Sequence, residues 1–209
     1  MTATAYHHGD LRAALVEAAI ELARPAGAES IVLREVTRRA GVTPRAAYRH
    51  FADRDDLVRA VAQRALAQLA TAIERRMADT LEPDGRAKLQ AVGESYIAFA
   101  LDEPGLFDVA FFAMDDMLNT TAPESTSCGT GLSPYQLLEA ALEALVAEGG
   151  LSSADVGDAV ITCWSGVHGF ATLTARGPLR ELPRQLVDEQ SARLVTALVD
   201  AVDGRTRTG

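Results

Sequence analysis

Helical periodicity is the feature of this sequence that most restricts its fold. Alanine-rich segments carry apolar residues every three to four positions, as at Leu11, Leu15 and Leu22, whereas alternating β-branched runs and Asn-Gly turns are missing. Aromatic residues make up only 5% of the chain. No internal repeat of roughly 20–50 residues is present. We therefore predict an all-α protein of about nine helices.

Proline, glycine and capping residues divide the chain into these helices. The first helix should follow Gly9-Asp10 and end at Pro25-Ala26-Gly27, and Asp53 should cap a long helix that runs to Asp79. Residues 119–133 are polar and low in complexity, which predicts a mobile loop. The other helices are predicted over 33–40, over 44–51, between Gly85 and Pro104, over Phe107–Leu118, from Ser133-Pro134 to Gly149-Gly150, over 153–175 and over 183–202.

Composition places the chain among ordinary globular proteins. It has 209 residues, 48% of them apolar and 23% charged, which allows one large or two small domains and excludes wholesale disorder. Because neither a run of roughly 18 apolar residues nor a secretory signal is found, we expect a cytoplasmic protein. Cys128 and Cys163 cannot form a disulfide framework, and no Cys/His cluster has zinc-ligand spacing. We expect no metal and no cofactor.

Charge is distributed unevenly along the chain. The net charge is −9, yet residues 1–65 hold ten arginines against eight acidic residues, a balance of +2, which leaves −11 for residues 66–209. An acidic protein is a poor general binder of nucleic acid, because attraction to phosphates drives affinity that is independent of sequence. A basic head on an acidic body instead indicates a polyanionic partner for one end only.

The segment from Leu33 to Phe51 has the organisation of a helix-turn-helix. Gly41 allows the backbone conformation that a tight helix exit needs, Thr43 can cap the second helix, and Pro44 suits its first position. The two helices share a small apolar seam, formed by Val36, Ala40, Val42, Ala47 and Phe51. The opposite side offers Arg45, Arg49 and His50. Eight helical residues span about 12 Å, which the major groove of DNA admits.

Two motifs carry a resemblance to a known family. The segment AGVTPRAAYRHFADRDDL at residues 40–57 resembles the signature of TetR/AcrR-type transcriptional regulators, and the preceding helix extends the resemblance over residues 9–68. The element Trp164-Ser-Gly-Val-His168-Gly169 resembles the W-x-x-x-H-G motif of one C-terminal subgroup. The resemblance implies a flexible arm at 1–8, a DNA-binding domain at 9–68, and a ligand-binding and dimerisation domain at 69–209 that contains the loop 119–133.

The resemblance also assigns DNA contacts to residues of the head. It implies base or phosphate contacts for Arg34, Thr43, Pro44, Arg45, Ala46, Tyr48, His50 and Arg54. Arginine pairs bidentately with guanine, which adds Arg49 beside Arg45 on physical grounds. Alternatively, Tyr48 and Phe51 pack the head's core and the arginines form a solvated face. Val32 stands where the family has a Thr or Ser helix cap, and Ser30 is the alternative cap.

For the C-terminal helices the resemblance implies a small-molecule pocket and a dimer interface. Aromatic and methionine side chains suit an apolar or aromatic effector, although the same residues can simply fill a core, and His168 can bind a ligand or pack. The candidate ligand-binding residues are Tyr96, Phe99, Phe107, Phe111, Phe112, Met114, Trp164 and His168. The family has a four-helix dimer interface, which fits the apolar stripes Val156/Val160/Trp164/Val167/Ala171 and Leu186/Leu194/Leu198/Val202.

The sequence therefore predicts a homodimeric DNA-binding regulator and not an enzyme, because no catalytic constellation is found. We expect a repressor that binds a palindromic operator in double-stranded DNA and is released by a small apolar or aromatic effector, with no membrane partner. Three alternatives stay open. The chain can be an all-helical ligand carrier or enzyme that uses its head for protein contacts, an activator, or a redox-responsive regulator that uses Cys163 or Cys128.

Overall fold

The computed structural model describes residues 8–79, 81, 83–113 and 130–204. Within these residues all regular structure is helical, with nine α-helices, two short 3₁₀ helices (Ala28–Ser30 and Ser153–Asp155) and no strand. The all-α prediction is confirmed. The α-helices are α1 (His8–Ala26), α2 (Leu33–Arg39), α3 (Pro44–Ala47), α4 (Arg54–Ala78), α5 (Gly85–Asp102), α6 (Pro104–Phe112), α7 (Pro134–Ala147), α8 (Val156–Ala175) and α9 (Arg184–Asp203).

Two of the predicted helix starts are held by side-chain caps. The backbone N–H of Asp56 donates to Asp53 Oδ1 at 2.8 Å, which satisfies a free donor in the first turn of α4. At α7, Ser133 and Gln136 form a capping box, with Pro134 at the first helical position. These local signals were readable from the sequence because each depends on residues three or four positions apart.

The α6 boundary differs from the prediction. The sequence indicates a break at Pro104-Gly105 and a helix from Phe107 to Leu118, but α6 begins at Pro104 and ends before Ala113, its C-cap. Proline occupies the first helical position, where its missing N–H costs no hydrogen bond, so the Pro-Gly pair opens the helix. The remainder of the predicted helix and residues 119–129 of the predicted loop lie outside the described residues.

Two further expectations at the head are corrected. Helix α1 begins at His8, before the predicted start after Gly9-Asp10. Ser30 does not cap α2, because its hydroxyl donates to the carbonyl oxygens of Leu22 at 2.8 Å and Gly27 at 2.6 Å. Val32 occupies the N-cap position without a side-chain hydrogen bond. The Ser30 hydroxyl therefore binds carbonyl oxygens of α1 and of the residue before the 3₁₀ helix, and it does not cap α2.

The chain divides into two compact units. The first comprises the described residues of Met1–Ala65 and Glu103–Thr120, and the second those of Leu66–Asp102 and Thr121–Gly209. The core of the first unit includes Leu15, Ile20, Ile31, Val36, Phe51, Leu57, Val61, Leu106 and Phe107. In the second unit α5 packs against α7, α8 and α9. The core there includes Leu69, Ile73, Leu89, Ile97, Leu142, Leu145, Val195, Val199 and Val202.

Helix α6 belongs to the first unit because it packs closely on α1. Gly105 lies so near the end of α1 that a Cβ atom there would overlap with the backbone carbonyl oxygens of Ala23 and Arg24. Arg24 also forms an ion pair with Glu103, at the N-cap of α6. Only a residue without a side chain permits this contact, which attaches α6 to the head.

None of the described helices is both long enough and apolar enough to cross a bilayer.

Replacing Gly105 with alanine tests the close packing of α1 and α6. We expect Gly105→Ala to lower the free energy of unfolding by about 3 kcal/mol, because the new methyl group forces two backbones apart. Chemical denaturation followed by circular dichroism measures this change. The control is Gly157→Ala in α8, where a Cβ meets nothing within 4 Å, and which should stay within about 1 kcal/mol of the wild type. Equal stability of both variants would contradict the packing argument.

Candidate functional site

The turn between α2 and α3 has the geometry that a helix-turn-helix requires. Gly41 adopts a φ of +67°, in the left-handed region that side-chain-bearing residues rarely occupy. The backbone N–H of Val42 then donates to the carbonyl oxygen of Thr37 at 3.0 Å, which closes the end of α2. The predicted role of Gly41 is confirmed by this conformation.

Buried apolar contacts determine how α3 is oriented. Val36, Ala47 and Phe51 are fully buried, and Ala40 and Val42 are half-buried, so the predicted seam exists. At the start of α3, the backbone N–H of Ala46 donates to Thr43 Oγ1 at 3.3 Å, with Pro44 in the first helical position. The predicted cap of the second helix is confirmed.

The second helix of the motif is shorter than the predicted span 44–51. Its α-helical part is Pro44–Ala47, and the chain continues in tighter turns. The N–H of Arg49 donates to Ala46 at 3.3 Å and that of His50 to Ala47 at 2.9 Å, both to carbonyls three residues earlier. These bonds have the 3₁₀ pattern that commonly finishes a helix. Arg49 and His50 therefore lie on the turn after α3.

Ion pairing separates the arginines of the head into two groups. Arg38 and Arg39 contact Glu35 at 2.6 and 3.3 Å. The hydrogen bond from Arg38 lowers the pKa of Glu35 to about 2. Arg34, Arg45 and Arg49 are exposed and form no ion pair with any residue that the structure describes. Arg12 is also exposed and without an ion pair in the described part of the chain, but it lies over the Phe51 ring. A phosphate or a base edge can therefore bind Arg34, Arg45 and Arg49 without displacing a protein carboxylate or an aromatic contact.

Tyr48, His50 and Arg54 occupy different environments. Tyr48 is 58% exposed, so it does not pack the head's core as the alternative interpretation held, whereas Phe51 does. His50 is half-buried. Arg54 donates from Nε to the Ile31 carbonyl oxygen at 2.9 Å and from Nη2 to that of Ala28 at 2.6 Å. Its guanidinium thus binds the 3₁₀ helix, and a DNA contact by Arg54 stays a prediction.

The eight candidate ligand-binding residues do not form one cluster within a unit. Phe107, Phe111 and Phe112 belong to the first unit, where the Phe107 and Phe111 rings lie 4.9 Å apart and Phe112 is 45% exposed. Met114 lies outside the described residues. The second unit contains the other four, namely Tyr96, Phe99, Trp164 and His168.

Hydrogen bonds connect Tyr96, Trp164 and His168 inside the second unit. The Tyr96 hydroxyl lies 2.8 Å from His168 Nδ1, and the Trp164 indole N–H donates to the same hydroxyl oxygen. Burial raises the pKa of Tyr96 well above its ordinary value, against the smaller opposing effect of the Trp164 hydrogen bond. Burial also lowers the pKa of His168. Both side chains are therefore neutral near pH 7.

The donors available determine the direction of one of these two hydrogen bonds. An indole has only a donor, so Trp164 donates to the Tyr96 oxygen. The direction of the bond between the Tyr96 hydroxyl and His168 Nδ1 depends on which ring nitrogen of His168 carries the proton. A neutral imidazole that accepts at Nδ1 carries its proton on Nε2. The arrangement is a cluster of neutral groups, which the sequence indicated only through the four-residue spacing of Trp164 and His168.

Four of the nine residues in the apolar stripes expected at a dimer interface are buried in the second unit, and the other five are half-buried or exposed. Val160, Val167 and Ala171 of α8 are buried, as is Val202 of α9. The stripe of a helix that packs on its own subunit has the same period as one that packs on a partner, so the pattern could not distinguish them. The exposed apolar residues of this region are Ile161, Leu173, Leu182 and Leu186.

Comparisons with known proteins agree with this architecture. The family model described as "Tetracyclin repressor-like, C-terminal domain" matches residues 89–202, more than half of the chain. A second model, "Bacterial regulatory proteins, tetR family", matches residues 15–61. No curated protein matches the sequence.

Solved structures share the fold. A protein of unknown function from Rhodococcus sp. RHA1 is 28% identical, with 96% of this chain and 100% of that chain covered and a TM-score of 0.73. A TetR variant from Acinetobacter baumannii AYE, in complex with minocycline, is 20% identical over 93% and 97% of the two chains, with a TM-score of 0.64. FadR from Bacillus subtilis, in complex with stearoyl-CoA, is 16% identical over 91% and 98%, with a TM-score of 0.67.

A helix-turn-helix with exposed arginines, followed in the chain by a helical second unit, defines a DNA-binding transcriptional regulator. The two family models specify the class further: the chain belongs to the TetR family. Members of this family bind DNA and small-molecule ligands and act as dimers.

Removing the cap of α3 tests how the second helix of the motif is held. We expect Thr43→Ala to lower the free energy of unfolding by about 1 kcal/mol, because the Ala46 N–H loses its side-chain acceptor. Thr43→Ser retains that acceptor and is the matched control. Urea denaturation measures both variants. If serine destabilises the protein as much as alanine does, the hydroxyl is not the stabilising group.

Proposed function

We propose that this protein is a homodimeric repressor that binds a palindromic operator and releases it when a small apolar or aromatic effector binds. In this proposal residues 9–68 bind DNA, and residues 69–209 bind the effector and dimerise. The protein acts on double-stranded DNA in the cytoplasm and catalyses no reaction. Membership of the TetR family supports DNA binding and the regulation of transcription. The exposed arginines of the head support the assigned DNA contacts.

The observation that carries the DNA-binding proposal is the group of exposed arginines without ion pairs on the helix-turn-helix, namely Arg34, Arg45 and Arg49. Arg45 and Arg49 suit base recognition, since a guanidinium pairs bidentately with guanine, while Arg34 can reach a phosphate or a base. Thr43, Pro44 and Ala46 bring the backbone at the start of α3 to the groove. Tyr48 and His50 are assigned to phosphates or base edges, and Arg54 to the DNA backbone once it leaves the 3₁₀ helix.

Exposed apolar side chains in the region of α8 and α9 support self-association. Ile161 is 62% exposed, and Leu173, Leu182 and Leu186 are exposed to lesser extents. Where such side chains lie side by side, they form an apolar surface that suits contact with a second copy of the chain. Two heads are also what an operator with half-sites about 34–36 Å apart requires.

Effector binding is assigned to the aromatic residues of the chain. Tyr96, Phe99, Trp164 and His168 of the second unit combine an apolar surface with few polar groups, as small-molecule sites do. Phe107, Phe111, Phe112 and Met114 remain candidates. Two structural neighbours were solved with minocycline and with stearoyl-CoA, which supports a small-molecule ligand here. Release follows if the effector favours a conformer whose heads no longer match the half-sites.

The alternative functions have less support. A carrier or an enzyme with the same fold has no use for three unpaired arginines beside an exposed tyrosine. Cys163 is buried, which does not favour direct oxidation, and Cys128 lies outside the described residues.

Selection of operator sequences from random duplex DNA tests the function. We expect enrichment of a palindrome whose half-sites are one helical turn apart, bound by a dimer in analytical ultracentrifugation. Affinity should fall steeply with salt, because phosphate contacts release counterions. Absence of any enriched sequence at moderate salt, or a protein that stays monomeric on DNA, would contradict the proposal.

Changing Arg45 tests the assignment of base contacts. Arg45→Ala should weaken operator binding by about 1–3 kcal/mol and relax the preference for one base pair of each half-site. Binding to operator variants, measured by fluorescence anisotropy, gives both quantities. Arg180→Ala removes the same charge from the turn between α8 and α9 and is the control. A uniform loss of affinity for all sequences would instead assign Arg45 to the phosphate backbone.

A further inference from the structure

One hydroxyl of the second unit is buried without a hydrogen bond. Thr172 Oγ1 has no hydrogen-bond partner among the described residues and is inaccessible to water, although the residue as a whole is half-buried. Buried polar atoms are almost always paired, so an exception requires an explanation. A missing ligand is one such explanation.

Other threonines of the same helix show how such a hydroxyl is ordinarily satisfied. Thr162 donates to the Asp158 carbonyl oxygen and Thr174 to that of Phe170, each at 2.8 Å and each four residues back. Thr172 makes no such bond, so its proton has no acceptor. A ligand that offers a hydrogen-bond acceptor would use the proton that Thr162 and Thr174 donate to a carbonyl oxygen.

The Thr172 hydroxyl belongs to a side chain that lies in line with other polar side chains on α8. Trp164, His168 and Thr172 are four residues apart on α8, which places them on one face of the helix. We call these three residues, with Tyr96, the polar row. All three α8 members are half-buried, although the Thr172 hydroxyl itself is inaccessible to water. The Trp164 ring also packs at 5.9 Å against Tyr135 of α7, which adds apolar surface.

Charge is disfavoured in the polar row. Burial raises the pKa of Tyr96 and lowers that of His168, so both groups stay neutral, and neither tryptophan nor threonine ionises. An anion would find no cation among these four side chains, and a cation would find no carboxylate. The row suits an uncharged molecule.

We propose that the polar row is the subsite at which the effector of this regulator is held, and that it takes an uncharged apolar molecule whose carbonyl oxygen accepts the Thr172 hydroxyl proton. This proposal rests on the proposed function, since it names the ligand class of the effector site. The sequence-based candidates included Tyr96, Trp164 and His168 but not Thr172, because only the structure reveals that its hydroxyl lacks a partner.

Three small probes with one aromatic ring distinguish the ligand classes. Acetophenone has the carbonyl acceptor, ethylbenzene lacks it, and benzoate carries a charge. Trp164 is the only tryptophan of the chain, so its fluorescence reports binding at the polar row in the full-length protein. We expect acetophenone to bind about 3- to 10-fold more tightly than ethylbenzene, and benzoate to bind most weakly. Tighter binding of benzoate, or no binding of acetophenone, overturns the proposal.

Thr172→Val separates a ligand contact from a structural role. Removing an unpaired hydroxyl should raise the midpoint of thermal unfolding by about 2–4 °C. The same variant should bind acetophenone about 3- to 10-fold more weakly and bind ethylbenzene as before. Thr174→Val deletes a hydroxyl that is bonded to Phe170 and should leave both affinities unchanged. The proposal is overturned if Thr172→Val is less stable than the wild type, or if it still prefers acetophenone to ethylbenzene. It is also overturned if the affinities for both probes fall by the same factor.

Operator binding keeps this test independent of the proposed function. Without a probe, Thr172→Val should bind the selected operator as the wild type does, and acetophenone should release the wild type at about 3- to 10-fold lower concentration than the variant. If the wild type binds its operator but not acetophenone, only the ligand class is wrong. If it binds no operator, the proposed function is wrong whatever the probes show.

Discussion

The burial of Phe51, Ala47 and Val36 is the contact on which the DNA-binding surface depends. Helix α3 has four residues, too few to be stable by itself, so packing alone sets its orientation. The Arg12 guanidinium lies 5.0 Å above the Phe51 ring and covers the other side of this side chain. With the apolar side held in the core, Arg45 must face outward.

At the boundary of the two units, consecutive residues form ion pairs within different units. Asp102, the last residue of α5, pairs with Arg184 at 2.8 Å within the second unit. The next residue, Glu103, pairs with Arg24 of α1 within the first unit. Adjacent residues are therefore held by different units, and α6 is packed on the head although it follows a helix of the second unit.

Sequence reasoning succeeded where the deciding contacts are local. The caps at Asp53 and Ser133 and the left-handed Gly41 involve residues at most four positions apart, so residue type and spacing predict them. Two local predictions failed because one signal permits two outcomes. Pro104 can end a helix or begin one, and the hydroxyl of Ser30 can cap α2 or bond to Leu22.

The sequence by itself determined the all-α class, the helix-turn-helix and the basic character of its exposed side, since helical period, caps and residue charges are properties of short segments. Only the tertiary structure decided the partners of the polar groups outside the helix caps. In the folded protein Arg54 donates to carbonyl oxygens of the 3₁₀ helix, Val160 and Val167 are buried in the second unit, and the Thr172 hydroxyl has no partner among the residues that the structure describes. Each of these outcomes depends on residues distant in the chain, or on the absence of a neighbour, and no local pattern encodes either.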